Sequence, residues 1–377
     1  MASPISSNLH SGNSISRPKE PEGPRPLSPP TRLGQHQPVI EIPLPLLPLP
    51  PQQPCGLAQD FMLSGFPPTA TPRLLYGTAW KNQDTANLVY LAIKSGFRGI
   101  ETAALPLYYQ EPLVGDGVRR AVDKGIVTRE ELYIQSKFAP PDTEAQYCCM
   151  PYSQDMSLKE QVRASVESSL RNLAVSCPTS PQAAYLDCVL LNTPLTTLEE
   201  TVAVWQALEE FVPHRIRHLG IANVNQTIVE HLLRPPLGTS SLPEWKIRVR
   251  PSVVQNHFCP RLGDEDVYFV RLRRLCRQEG VVFQAYYTLT GNKKLVRKST
   301  TVSDLMARVP GVSRETAFYA LVLGLQGISI LDGTKSEEHM RADVEGIKQI
   351  ERWADGEGRP FWENLLQVFK RVIRGEE

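Results

Sequence analysis

The chain lacks an excess of charge of either sign: 41 Lys and Arg stand against 40 Asp and Glu. Nucleic acid and anionic membranes recruit proteins through basic fields, so neither is expected as a partner, and a small molecule is. Long apolar runs are missing as well. The longest, Ala317 to Leu331, falls short of the roughly 20 residues a membrane-spanning helix needs and is interrupted by Gln326 and two glycines. No cysteine pair has metal-ligand spacing: the seven cysteines are scattered, and Cys148 and Cys149 are adjacent. Reduced thiols in a cytoplasmic protein are the expectation, with no metal site. A secretory signal is not expected either, because the first apolar stretch comes only after residue 38 and is broken by proline. Finally, the turn after the first strand candidate, GTAWKNQD, contains no G-x-G-x-x-G, which weighs against an open doubly wound dinucleotide-binding sheet.

Proline, by contrast, is abundant: there are 33, and the run IPLPLLPLPPQQP follows a Ser- and Pro-rich start. No helix survives that density of proline. Residues 1–70 are therefore read as a disordered, polyproline-like tail, and residues 71–377 as the folded domain. Removing residues 1 to about 65 is expected to leave folding unchanged.

From Leu74 onward, short β-branched runs alternate with longer segments of helical spacing. Strands are expected at Leu74–Trp80, Gly99–Ala103, Leu132–Lys137, Leu186–Thr193, His218–Asn223, Ser252–Phe258, Val281–Tyr287 and Gly327–Gly333. Helical candidates lie between them, with Asp84 and Ser157 where N-caps belong. Eight βα units point to an α/β fold, a (β/α)8 TIM barrel whose chemistry gathers where the C-terminal ends of the strands meet. Glu101, Lys137, Asn192, Asn223, Gln255, Tyr286 and Asp332 all fall at such ends.

Six ordered segments resemble the aldo-keto reductases. GFRGIETA followed by YYQEPLVG is similar to the family's second-strand signature, YIQSK to its third-strand segment, and YLDCVLLNTP to the fourth, which usually ends in His-x-Pro. RIRHLGIANVN, SVVQNHF and FQAYYTLTG resemble the fifth, sixth and seventh. ETAALPLYYQE and YTLTGN are more like a fungal branch than the best-known members.

The resemblance implies reduction of an aldehyde or ketone by NADPH, with a tyrosine donating the proton and a lysine, held by a carboxylate, tuning that tyrosine. By motif position the lysine is Lys137 and the carboxylate Glu101. The tyrosine is Tyr108, three residues before Glu111, or its neighbour Tyr109; the segment is two residues longer than the usual pattern, and the register favours Tyr108. Asn223 and Gln255 correspond to residues that hold the nicotinamide carboxamide, and Tyr286 to the aromatic against the ring.

Two departures bear on activity. Glu101 stands where the family has Asp, and Asn192 where it has a His that orients the carbonyl; Asn can donate a hydrogen bond but cannot change charge near neutrality. Two alternatives follow: a weakened dinucleotide-binding barrel that serves as an interaction protein, and an enone reductase. At the eighth strand, ILDGTKSEEHMRADVEG replaces the usual Pro-Lys-Ser. Asp332 and Gly333 take the Lys and Ser positions, and Glu338 falls near the usual Arg. Thr334, Lys335 and Arg341 are left as a shifted site for the adenosine 2′-phosphate, so NADPH is expected to be preferred over NADH by a reduced margin, with NAD as the second cofactor.

Overall fold

A computed structural model describes residues 54–65, 67–140, 150–175, 184–234, 246–261 and 266–374. The proline-rich run, apart from its last residue Pro54, and the Cys148–Cys149 pair lie outside these residues.

Among the described residues, the first strand pairing precedes every strand read from the sequence. β1 (Phe61–Leu63) and β2 (Thr69–Thr71) form an antiparallel hairpin. At three residues each they are too short to show alternation, the signal by which a strand is read. Leu63 is fully buried in one cluster with Leu75, Tyr133, Val253 and Val282, which lie in the first two positions of four barrel strands, so the hairpin stoppers the N-terminal mouth. Just ahead of it, Leu57 is buried in the main core, and the Cys55 and Ala58 amides donate to Asp355 Oδ1 (2.7 Å) and Glu351 Oε1 (3.0 Å). Buried Arg73 ties this segment down through Gly56 O (2.6 Å), Leu323 O (2.7 Å) and Ile328 O (3.0 Å).

The boundary expected near residue 70 is therefore set too late: the folded part includes Cys55 to Thr71. Starting the chain at Phe66 instead of Gln53 should cost stability. Loss of two buried leucines at about 2–5 kcal/mol each corresponds to a Tm drop on the order of 5–20 °C. Thermal melts of the two truncations compare them directly, and equal Tm values would restore the boundary near 70.

The eight strands expected from Leu74 onward all form: β3 (Leu74–Gly77), β4 (Gly99–Glu101), β5 (Tyr133–Phe138), β6 (Leu186–Leu191), β7 (Ile216–Ala222), β8 (Val253–His257), β9 (Val282–Tyr286) and β10 (Ile328–Asp332). They pair in parallel and close in the order β10-β3-β4-β5-β6-β7-β8-β9, a (β/α)8 barrel. Strands covered on both faces are largely apolar, and β6, LDCVLL, is buried at every position, its one charge, Asp187, being paired with Arg129 (2.8 Å) and Arg217 (2.9 Å). Around them lie α1 (Thr85–Lys94), α2 (Glu111–Asp123), α3 (Leu158–Asn172), α4 (Leu198–Glu209), α5 (Gln226–Leu233), α6 (Val270–Gln278), α7 (Lys293–Lys298), α8 (Thr300–Arg308), α9 (Arg314–Leu323), α10 (Glu337–Asp355) and α11 (Arg359–Arg374). α7 and α8 occupy a stretch with no readable motif. Among the described residues no helix is long and apolar enough to cross a membrane.

Ser157 caps α3 in a capping box with Glu160, as its position implies, and Thr197 with Glu200 does the same for α4. Asp84 does not act as a cap. It closes a short 3-10 turn, Asn82–Asp84, and makes no capping hydrogen bond.

Alternation along β5 sends Tyr133, Gln135 and Lys137 to one face. That face is the barrel interior, and it is layered. Tyr133 sits in the apolar layer around Leu63. Above it Gln135 exchanges hydrogen bonds with Gln284 of β9 (2.8 and 3.1 Å), and Gln284 Oε1 also accepts from Gln255 of β8 (3.0 Å). Lys137 is the next interior residue, at the C-terminal mouth.

Candidate active site

Glu101 ends β4 and Lys137 lies one residue from the end of β5, so the barrel register carries both to the same rim. Their side chains are buried and form a direct ion pair, Lys137 Nζ to Glu101 Oε1. Lys137 Nζ also donates to the Tyr109 hydroxyl oxygen at 3.0 Å. Because that oxygen accepts from the lysine, the phenolic proton is left to point elsewhere. Burial pulls Lys137 down to about 7, and burial pushes Tyr109 up, so Tyr109 keeps its proton across the neutral range.

Of the two adjacent tyrosines, Tyr109 is the one that reaches Lys137, whereas the spacing from Glu111 favours Tyr108. Tyr108 and Tyr109 share one turn, both amides donating to Leu105 O (3.0 Å), but their rings diverge. The Tyr108 ring packs on Trp80, with centroids 4.4 Å apart, while Tyr109 turns in to Lys137. Counting back from Glu111 gives Tyr108, but the extra residues lie in the turn itself, and the turn rotates the second tyrosine inward.

A second chain of hydrogen bonds crosses the rim. Tyr286, at the end of β9, donates to Asn223 Oδ1 (2.6 Å), and Asn223 Nδ2 donates to the Asn192 carbonyl (2.7 Å). Asn223 follows β7 with φ 54°, a left-handed conformation that asparagine tolerates better than most residues. Asn223 and Tyr286 thus meet side chain to side chain at the rim, and Asn192 joins them through its backbone carbonyl. Gln255 does not join them: its amide is committed to Gln284, one layer down, although its backbone carbonyl accepts from the Asn223 amide (2.9 Å).

At β10 the carboxylate of Asp332 turns inward and is buried, accepting from the Thr334 amide (2.9 Å) and standing beside Asp343 of α10. It cannot face a ligand outside the loop as its sequence position suggests. Burial raises Asp332, and burial together with Asp332 raises Asp343 to about 8. Gly333 and Lys335 are exposed and Thr334 is partly so. Ser336 caps α10 by accepting from the His339 amide (3.3 Å).

The sequence reading missed Lys81. Buried after β3, it donates to Gly333 O, linking the first and last strands at the seam of the barrel. Burial lowers it to about 8, with Lys335 pressing the same way and Asp332 opposing. Its signal in the sequence is a lysine at a strand's C-terminal end, in GTAWKNQD.

The sequence profile of the Aldo/keto reductase family matches residues 73–341. The chain belongs to that family. Among curated relatives, an uncharacterised oxidoreductase of Schizosaccharomyces pombe is 27% identical over 73% of this chain and 82% of its own. A glyoxal reductase of Bacillus subtilis is 30% identical over 53% and 56% of the two chains, and a probable NAD(P)H-dependent D-xylose reductase of Arthroderma otae 29% identical over 62% and 68%. Among solved structures, the silkworm aldo-keto reductase AKR2E5 in complex with NADPH superposes with a TM-score of 0.56 at 18% identity, covering 78% of this chain and 88% of that one. At that identity the likeness speaks for the fold, and the aldo-keto reductase barrel is the fold described above.

Proposed function

We propose that this chain reduces aldehydes or ketones of small organic molecules to alcohols with NADPH, Tyr109 being the proton donor. One observation carries the reading: the buried relay Glu101–Lys137–Tyr109 at the mouth of the barrel, ending in a phenol whose oxygen is engaged and whose proton is not. Bound NADPH would supply hydride to the carbonyl carbon. As the carbonyl oxygen gains charge, Tyr109 gives it a proton, and the Lys137 ammonium stabilises the phenolate left behind. Glu101 holds the ammonium in place.

The rim fits an anionic cofactor at the β10 end. Lys81 and Lys335 are close enough for the second to lower the first, a crowding that a phosphate between them would relieve. A side chain added at Gly333 would meet only the Lys81 ammonium, at 3.8 Å, so the backbone there is open to approach. The first amides of the 19-residue α10 favour an anion as well. With Asp332 turned inward and Glu337 paired with Lys94 (3.0 Å), Glu338 is the carboxylate of the first turn of α10 left to oppose a 2′-phosphate, and a reduced but retained preference for NADPH over NADH is the expected outcome. Asn192, by its place at the rim, would orient the carbonyl in place of a histidine, without a charge change.

Titration of both cofactors, followed by NADPH oxidation with a panel of aldehydes and ketones, tests the reading. Cofactor binding with no turnover on any carbonyl would overturn it. The pH dependence is a sharper check. Lys137 is lowered to about 7, so its charge is present below that pH and lost above it. Reduction should therefore be level below pH 7 and fall above it, while Lys137→Met should give a low, flat profile. A wild-type profile flat from pH 6 to 9 would rule out the tuning role of Lys137.

A further inference from the structure

The inward turn of Asp332 brings two carboxyl groups together where water does not reach. Asp332 of β10 and Asp343 of α10 are 2% and 4% exposed, and their side chains hydrogen-bond to each other. Asp332 Oδ1 accepts from the Thr334 amide (2.9 Å) and the Tyr319 hydroxyl (3.5 Å), and Asp343 Oδ1 accepts from the Thr316 hydroxyl (2.5 Å). Asp332 Oδ2 is buried, and among the described residues no donor reaches it. Two ionised carboxylates have no hydrogen to share, so the contact between them exists only while one is protonated, and that proton supplies the donor that Oδ2 otherwise lacks. Nor can the pair simply separate. α10 lies so close on α9 that a side chain at Gly346 would meet Thr316 Cγ2 at 2.7 Å, and the Thr316 hydroxyl holds Asp343.

The charged and titratable neighbours do not take the place of this proton. From β3 and the loop after it come Tyr76, whose hydroxyl donates to Thr334 O (2.9 Å), and Lys81, whose ammonium is committed to Gly333 O while still drawing Asp332 down. α9 supplies Tyr319, kept protonated by burial and by both carboxylates, and the exposed Glu315, a further negative charge. β9 pairs with β10 through Phe283, Gln284 and Ala285 and brings no charge. Beyond Lys81 lies the exposed Lys335. With its proton the pair carries one negative charge against Lys81; without it, two. Burial together with Asp332 raises Asp343 to about 8, so the second charge appears in mildly alkaline solution. It appears beneath the loop 333–335 and about 10 Å along α10 from the helix's first amides. A unit charge added at that distance, screened by protein rather than by salt, is worth roughly tenfold in the affinity of an anion.

We propose that Asp332 and Asp343 share a single proton, and that this proton sets how strongly the loop 333–335 holds the 2′-phosphate, so that the preference for NADPH over NADH weakens in alkaline solution. The proposal rests on the cofactor reading, and its test separates the two. NADPH and NADH are titrated by fluorescence at constant salt from pH 7 to 9.5, above the second ionisation of a phosphate monoester at about pH 6, on the wild type, Asp343→Asn and Asp332→Asn. Binding is read rather than turnover because Lys137 titrates in the same range and acts on turnover. The ratio of NADPH to NADH affinity should fall about tenfold in the wild type. In either variant the amide is a permanent donor and no proton is lost, so the ratio should stay within about threefold. An undiminished fall in both variants would assign the effect to Lys81, which is lowered to about 8 and loses its charge over the same range, and overturns the proposal. A constant ratio in the wild type overturns it as well. Infrared spectroscopy reads the proton without any ligand. The carbonyl stretch of a protonated carboxyl group should be present in the wild type at pH 7, missing at pH 9.5, and missing from the same difference spectrum of Asp343→Asn. If neither dinucleotide binds at any pH but this band behaves so, the cofactor reading fails and the shared proton stands. No such band at pH 7 overturns the shared proton, whatever the dinucleotides do.

Discussion

Tyr109→Phe is expected to lower kcat for carbonyl reduction by about 100- to 10,000-fold, the range by which a positioned general acid contributes. Cofactor affinity should stay near that of the wild type, since the deleted atom is the hydroxyl facing Lys137 and the β10 loop is untouched. Tyr108→Phe should cost far less, because its ring keeps the contact with Trp80 and only a hydroxyl away from the relay is removed. Steady-state rates with one simple aldehyde, together with fluorescence titration of NADPH, check both variants. If Tyr108→Phe is the more damaged of the two, the spacing from Glu111 identifies the donor correctly and the turn has another conformation when substrate is bound.

Most of the barrel was legible because its strands are runs of buried apolar residues between helices with clear spacing, and such periodic signals survive without tertiary information. All eight strands appear, with ends shifted by one to three residues: most are shorter than the apolar pattern, while β7 begins two residues earlier and β5 ends one residue later. The hairpin β1–β2 was hidden. Its strands are three residues long, too short for alternation to show, and they follow a proline-rich stretch in which no periodic pattern is expected. Leu57 and Leu63 are buried by distant residues that no local pattern reveals.

At the site, Glu101 and Lys137 could be placed because each sits at a strand end and the register of neighbouring strands does the rest. Tyr109 could not be told from Tyr108. Both lie in one irregular turn, and which ring enters the barrel depends on backbone torsions that spacing does not encode. Asp332 illustrates a different limit. Its position at the end of β10 is correct, but the direction of its side chain is decided by the Thr334 amide and by Asp343, which lies 11 residues further on. Gln255 fails in the same way. Alternation makes it an interior residue, yet only the presence of Gln135 and Gln284 at the same height shows that its amide is engaged below the mouth.

Glu101→Gln should damage both stability and turnover, by an amount that depends on pH. In the wild type the Glu101 carboxylate and the Lys137 ammonium are almost fully shielded from water, at 1% and 2% side-chain exposure. Removing one charge of such a pair leaves the other buried without compensation, typically a loss of about 3–5 kcal/mol. Lys137 is already pulled down to about 7 by burial, and without the carboxylate nothing offsets that pull, so its folded value falls further. In the unfolded chain the lysine returns to its ordinary value. Over the window between the two, the unfolded state therefore holds a proton that the folded state has released, and the stability of the variant rises with pH. The deficit relative to wild type should be largest near pH 6 and smaller near pH 9. Turnover should not recover at pH 9, because a neutral Lys137 cannot stabilise the Tyr109 phenolate. Adding Lys137→Met to Glu101→Gln removes the orphaned charge and should restore much of the stability at pH 6 while leaving the enzyme inactive. Urea unfolding of the wild type, the single variant and the double variant at both pH values measures this. An equal deficit at pH 6 and 9, or a double variant no more stable than Glu101→Gln, would mean that the relay is held together by packing and that the ion pair contributes little.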